Sequence, residues 1–329
     1  MSDFDDSDDF EMLETDDITE KIKYKTFTIN LTEICCFGEL TQDPNRMKDC
    51  ESVAHTGMSY MGLPGTSLDG IIKIVNTKSN LDIFKTLNYE ILRPKNKSDY
   101  VADHDGIMTK LNHDNLFFNL VSFNLEGLCR KSSKDPMYPE RLGRFEKLMR
   151  PNITPGFIMT SQEIVLQLKD KIQQKSFLEE NGGKIKDILN RVNGNIDFVP
   201  DGYTGGVFYD KNIWEMKESI EILRPGSDKR SNAYLFNTRI GNKRLWVVNI
   251  HLKAKKRANT PSRYSTLSSL MSYVGIESSD ITHTKELSNI LNRVEEKNKR
   301  FNYPVYFCGD YNTTTDKKQL FRMSMEELI

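Results

Sequence analysis

Short apolar runs that stop abruptly on a polar or acidic residue recur along this chain of 329 residues. They restrict it to folds that gather several strand ends at one place. Leu116 to Phe123 is almost entirely apolar or β-branched until Asn124 ends it, the pattern of a strand buried on both faces. Gly156 to Thr160 runs into Ser161-Gln162-Glu163, Leu245 to Ile250 into His251, and Pro304 to Cys308 into Gly309-Asp310-Tyr311-Asn312. Leu68 to Val75, Asp105 to Leu111, Gly206 to Tyr209 and Ala233 to Ile240 read as further strands, and Tyr24 to Phe37 alternates as a half-buried one. Helical spacing appears over Glu140 to Met149, closed by Pro151, in the amphipathic stretch Ile164 to Ile172, around Ile185 to Val192, and over Ile281 to Lys299. Residues 42–66 read as a loop region and 89–101 as a mostly polar connection. Alternating strands and helices predict an α/β fold with its site just beyond the strand ends.

The formal net charge of −1 hides an asymmetry, because residues 1–20 hold ten Asp or Glu and no Lys or Arg. Removing those ten from the 47 acidic residues leaves 37 against 46 basic ones, about +9. A block so acidic and so poor in apolar residues predicts a disordered tail over residues 1–20, ahead of a single domain over 21–329. No apolar run approaches the ~20 residues of a membrane span, and the acidic N-terminus does not read as a signal peptide. Five cysteines (Cys35, Cys36, Cys50, Cys129, Cys308) are an odd and scattered set, expected as reduced thiols inside the cell, in cytoplasm or nucleus. Adjacent Cys35 and Cys36 are poorly spaced for tetrahedral zinc.

Chemistry concentrates at five places: Asn124, Glu163, His251, the Asp310 and Asn312 pair, and Asp103-His104. Each alone has an ordinary structural explanation. A Glu opening a helix complements its dipole, and an Asp-x-Asn turn after a strand is common turn chemistry. Together they supply carboxylates and amides for a hard, oxygen-loving metal, two imidazoles, and an Asp able to polarise water.

In its motifs the chain resembles the endonuclease/exonuclease/phosphatase superfamily, the deoxyribonuclease-I-like fold. These are Ser122-Phe123-Asn124, Ser161-Gln162-Glu163, Gly205-Gly206-Val207-Phe208-Tyr209, Asn249-Ile250-His251-Leu252-Lys253 and Gly309-Asp310-Tyr311-Asn312. That family ends in an Asp-bearing strand followed by Ser-Asp-His, downstream of the Gly-Asp-x-Asn turn, whereas 17 residues follow Asn312 here. Ser67-Leu68-Asp69-Gly70-Ile71-Ile72 and Ala102-Asp103-His104-Asp105-Gly106-Ile107 fit the missing ending. The expectation is a circular permutation, residues 21–111 supplying the usual C-terminal part and 115–329 the usual N-terminal part. Ala102, Gly70 and Tyr311 depart from the family's usual Ser, aromatic and Phe. The implied fold is a four-layer sandwich of two mixed β-sheets flanked by helices.

The resemblance implies a Mg²⁺ phosphodiesterase, with Mn²⁺ as a substitute ion. It assigns Glu163 and Asn124 to the metal, with Asp103 completing its surroundings. Asp310 orients or deprotonates the attacking water, and Asn312 holds the scissile phosphate. His104, steered by Asp69, is base or phosphate ligand, and His251 stabilises charge on the pentavalent phosphorane. His-Leu-Lys-Ala-Lys is similar in style to the deadenylase branch. Lys253, Lys255, Lys256, Arg257 and Arg263 form a basic segment suited to successive phosphates, and Tyr203 offers a ring for base stacking. The leading expectation is a nuclease acting on RNA or DNA. The others are a phosphatase for an inositol phosphate or nucleotide, and a non-catalytic scaffold binding nucleic acid or protein. A domain-swapped dimer is left open.

Overall fold

Apolar residues on both faces of the central strands dictate that each sheet be covered twice, once by the other sheet and once by helices. A computed structural model of the chain describes the backbone at 19–24 and 27–35, then residues 69–76, 84–92, 101–102, 104–128, 138–223, 230–252, 278–299 and 302–312, with a few isolated neighbours. Side chains are given for most residues in this second group. The expected loop at 42–66, Cys36, Cys50 and Cys129 lie outside these residues, as does the acidic block up to residue 18.

The first sheet has seven strands in the order β1-β2-β3-β13-β12-β11-β10. They are β1 (Thr19–Tyr24), β2 (Phe27–Cys35), β3 (Asp69–Asn76), β10 (Trp214–Leu223), β11 (Arg230–Thr238), β12 (Arg244–His251) and β13 (Val305–Asp310). The second has six, in the order β4-β5-β6-β7-β9-β8. Its strands are β4 (Lys85–Leu92), β5 (Gly106–His113), β6 (Leu116–Asn124), β7 (Ile158–Gln162), β8 (Ile196–Pro200) and β9 (Gly206–Asp210). Both sheets are mixed: β12 with β13 and β6 with β7 run parallel, their remaining neighbours antiparallel.

Three apolar layers follow from the alternation of side chains along each strand. Between the sheets lie Ile71, Leu111, Phe118, Leu120, Ile158, Val207, Trp214, Phe236, Val247, Tyr306 and Cys308. Helices α1 (Tyr138–Met149) and α2 (Lys171–Asn190) cover the outer face of the six-stranded sheet through Phe145, Met149, Leu178 and Ile185 against Val121, Phe123, Met159 and Phe208. Helix α3 (Ser278–Asn298) covers the seven-stranded sheet through Leu287, Ile290, Leu291 and Val294 against Ile72, Ile74, Trp246, Val248 and Phe307. The four-layer α/β sandwich of two mixed sheets is therefore the architecture observed. Burial also pushes the Cys308 thiol well above its ordinary range, so it is an inert core group.

Some local readings are revised. Tyr24 to Phe37 is not one strand: β1 and β2 form an antiparallel hairpin that reverses after Tyr24, and β1 takes in Thr19 and Glu20 from the acidic block. Ile164 to Ile172 is not a helix, since the amide of Val165 donates to Thr204 O and that of Leu168 to Gln174 Oε1. Helix α2 starts instead at Lys171, where the Asp170 carboxylate accepts from the amides of Ile172 and Gln173. It then continues through Gly182 and Gly183 to Asn190. Gly182 is there for close approach, because a Cβ at that position would stand 2.0 Å from the Phe198 ring. Strand β10 had no sequence expectation, and β4 takes in residues 89–92, which read as part of a polar connection. Both lie at sheet edges, where charged residues dilute the apolar signal.

Strand direction is what positions the site. Strands β6, β7, β12 and β13 all finish at the same end of the sandwich, and β3 and β5, antiparallel to β13 and β6, begin there. A turn at Asp114 and Asn115 (Asp114 φ 53) joins β5 to β6.

Candidate active site

At that end Asp310 closes β13 and stands in register with His251 of β12 on one side and Asp69 of β3 on the other. The row depends on Gly309, whose φ is +152 and where a Cβ would lie 1.8 Å from Ile250 O. Beyond Asp310 the chain turns on itself: the Asn312 amide donates to Asp310 Oδ1 at 2.8 Å, and its side-chain Nδ2 to Asp310 Oδ2 and Leu252 O, each at 3.0 Å. Asn312 has φ 50, as Asx turns tolerate.

The facing sheet brings its own strand ends to the same oxygen. Asn124 Nδ2 donates to Asp310 Oδ2 at 3.1 Å across the gap, while its Oδ1 accepts from the Glu126 amide at 3.1 Å. Glu163 follows β7 in the left-handed region (φ 51), an unfavourable conformation for a Glu. Its Oε1 lies 3.4 Å from His251 Nε2, and that nitrogen is 3.8 Å from Asp310 Oδ2. His104 enters from the turn before β5, its Nδ1 2.8 Å from Asp69 Oδ2 and its Nε2 4.0 Å from Asp310 Oδ2. With Nδ1–H donated to Asp69, the Nε2 lone pair faces the same space as Asp310.

Seven of the sequence-derived residues, Asp69, His104, Asn124, Glu163, His251, Asp310 and Asn312, thus converge on one locus from six strand ends. Asp103 and the basic segment Lys253, Lys255, Lys256, Arg257 and Arg263 lie outside the described residues. Tyr203 is placed differently from expectation: it is 5% exposed, and its ring lies 5.1 Å from the Lys171 ammonium. Its backbone is pinned, the amide donating to Asp201 Oδ1 and the carbonyl accepting from Gln174 Nε2. Buried in this way, the ring has little face to offer a nucleobase.

Two further residues tie the sheets together directly beneath the locus, and neither was assigned a role from sequence. Gln162 Nε2 donates to Asn249 Oδ1 at 2.6 Å, and Asn249 Nδ2 donates to Ser161 O at 3.0 Å. The clamp joins the residue before Glu163 to the residue two before His251, so it sets the distance between their side chains. Asn249 and His251 share a strand face at a spacing of two, which was the available signal.

Burial dominates the electrostatics. It pushes the Asp310 carboxyl up to about 6, against the opposing pull of the His104 ring; the Asp69 carboxylate adds to the rise, while the Asn312 amide and the Asn124 side chain lower it. A carboxyl whose pKa is raised toward neutrality suits proton acceptance from water. Three carboxylates face two imidazoles here, an anionic balance that a cation would relieve. Among the described residues no group of three or more His, Cys, Asp and Glu stands at metal-ligating spacing. The donors present are the oxygens of Glu163, Asn124 and Asp310. Mg²⁺ keeps most of its waters and needs only one or two carboxylates, so this set fits it.

No protein-family model matches the chain, and no curated protein matches it in sequence. Solved structures do. D. rerio TDP2 complexed with a single-strand DNA product aligns at 15% identity and TM-score 0.39, covering 63% of this chain and 65% of that one. The match therefore spans just under two thirds of that protein's length. The human Nocturnin catalytic domain aligns at 13% and 0.31, covering 47% and 51%. An endonuclease/exonuclease/phosphatase family protein from Bacteroides thetaiotaomicron aligns at 11% and 0.39, covering 62% and 67%. Among the described residues no helix is long and apolar enough to cross a membrane.

Proposed function

We propose that the chain is a divalent-metal-dependent phosphoric ester hydrolase, and specifically a nuclease cleaving RNA or DNA. One observation carries the reading. Asp310 Oδ2 lies within 4.0 Å of Asn124, Asn312, His104 and His251 side chains, delivered from both sheets and from distant parts of the chain. A structural carboxylate needs one or two partners; this one, 1% exposed, is ringed by groups suited to phosphate chemistry.

In this reading Glu163 and Asn124 would hold Mg²⁺, and Asp103 is assigned to the same ion by its motif alone. The ion supplies a Lewis acid that offsets charge developing on the phosphate oxygens. Asp310 orients the attacking water and takes its proton. His104, held by Asp69, presents Nε2 as a base or as a donor to the phosphate. His251 stabilises charge on the five-coordinate phosphorus, and Asn312 keeps the scissile group in line. Lys253, Lys255, Lys256, Arg257 and Arg263 track neighbouring phosphates, so binding weakens as salt rises.

The reading includes circular permutation within a single domain over 21–329. What supports it is that Asp69 and His104, from the first third of the chain, complete a locus otherwise built by residues 124–312. The supposed joint between the two parts is the short turn at Asp114 and Asn115.

Purified protein with Mg²⁺ is expected to cleave labelled single-stranded RNA or DNA. EDTA should abolish cleavage, excess Mg²⁺ or Mn²⁺ should restore it, and Glu163→Gln should lower metal affinity as read by calorimetry. Cleavage restricted to small phosphomonoesters such as inositol phosphates would replace the nuclease with a phosphatase. Salt-sensitive nucleic-acid binding without turnover of any phosphoester would leave only a scaffold.

A further inference from the structure

A guanidinium is seldom buried unless its donors are used, and Arg141, in the first turn of α1, is 7% exposed. Its Nε donates to Val101 O at 2.7 Å, and its Nη2 to Leu125 O at 3.2 Å and Glu126 O at 3.5 Å. Glu126 Oε2 also stands 3.5 Å from Nη2. These acceptors belong to two separate loops. Val101 lies three residues before His104, and Leu125 and Glu126 directly follow Asn124. The Glu126 amide, in turn, is the donor that fixes Asn124 Oδ1.

We infer that Arg141 is a positioning residue that locks the His104 loop to the Asn124 turn, so that both side chains meet Asp310 at a fixed separation. The inference rests on the hydrolase reading for its consequence in catalysis, but not for the geometry. Two chains of contacts lead outward from the one guanidinium. The first passes through Glu126 to Asn124 and Asp310; the second passes through Val101 to the turn that seats His104 on Asp69. Neither chain has Arg141 touching the locus itself. Only a planar fork reaches carbonyls on both loops at once; an ammonium is a point donor on a flexible stem. Glu126 adds a reason for the lock, since it sits at φ 44, a conformation its surroundings must hold in place.

The test uses the full chain with Arg141→Met and Arg141→Lys, read first by amide hydrogen exchange without substrate or metal. Faster exchange confined to peptides spanning 101–106 and 124–128 in both variants, with β7, β12 and β13 unchanged, is the expected result. Unchanged exchange in those peptides overturns the proposal. A uniform rise across the whole chain does so too, because it marks a general stabilising role. The second readout is hydrolysis of bis-p-nitrophenyl phosphate with Mg²⁺. Arg141→Met should lower kcat about a hundredfold at little changed KM, and lose most of that effect in a His104→Ala background. Fully multiplicative losses would overturn positioning through His104. If wild type hydrolyses no phosphoester, the hydrolase reading fails, and the exchange pattern alone decides the role of Arg141.

Discussion

If the proposed hydrolase function holds, His104→Ala is expected to lower kcat on the cleaved phosphoester by about 10²–10⁴-fold, the range for loss of a positioned acid–base group, while leaving the unfolding transition close to that of wild type. The separation of the two effects follows from placement. The His104 side chain is 10% exposed and lies on a turn, outside the three apolar layers, so its removal opens no cavity in them. What disappears is the imidazole between Asp69 and Asp310. His113→Ala provides the contrast. That ring packs 5.1 Å from Phe84 at the opposite end of β5, so its loss should lower stability with little direct effect on kcat. Steady-state kinetics and thermal unfolding on the two variants decide the matter. Undiminished turnover in His104→Ala would remove residues 69–104 from the site and end the permutation argument.

Gly309→Ala is expected to cost at least about 4 kcal/mol, enough to unfold a marginally stable domain. Two independent penalties combine. A φ of +152 is a backbone conformation that only glycine adopts readily, and a Cβ there would stand 1.8 Å from Ile250 O in the neighbouring strand. The obstacle is main chain, which cannot swing aside as a side chain can. The β12–β13 ladder would have to part at the pair that sets Asp310 beside His251. Soluble expression and urea unfolding measure the loss. A variant with native stability would mean that the strand-end geometry around Asp310 is not as described.

Much of the fold was legible because buried strands announce themselves. Leu116 to Phe123 and Val305 to Cys308 are apolar on both faces, and each delivers its polar residue at the point where burial ends. The convergence of Asp69 and His104 on Asp310 could be anticipated only by matching motifs out of their usual order, since nothing in local periodicity links them. Other parts left weaker traces. Strand β10 sets Ile220 and Ile222 about Glu221 and carries Glu215, Lys217 and Glu218 before them, as a solvent-facing edge must, and β4 includes Lys85 and Glu90. Helix α2 carries Gly182 because the Phe198 ring occupies the space a Cβ would need, a requirement set by a residue on strand β8. Arg141 and the Gln162–Asn249 clamp are invisible for the same reason: their meaning lies in carbonyls and amides that only the folded chain brings near. Tyr203 misled because a tyrosine among turn residues reads as exposed, whereas Asp201 and Gln174 draw its backbone inward.

The pairing of β3 with β13 also dictates an order of assembly. The β5–β6 hairpin, closed by its short turn, needs only neighbouring residues and can form in roughly microseconds. Strand β3 instead waits for a partner from the far end of the chain, and closing so long a loop is entropically slow. During synthesis the edge of β3 that will pair with β13 lacks that partner until residues 305–310 emerge, so β1, β2 and β3 form an unfinished sheet open to pairing with another chain. Pulse-labelled hydrogen exchange during refolding should find β5 and β6 amides protected before those of β3, and the reverse order would contradict this sequence of events. A locus assembled this way cannot be complete in a partly made chain: its last components, Asp310 and Asn312, arrive only with the strand that pairs with β3.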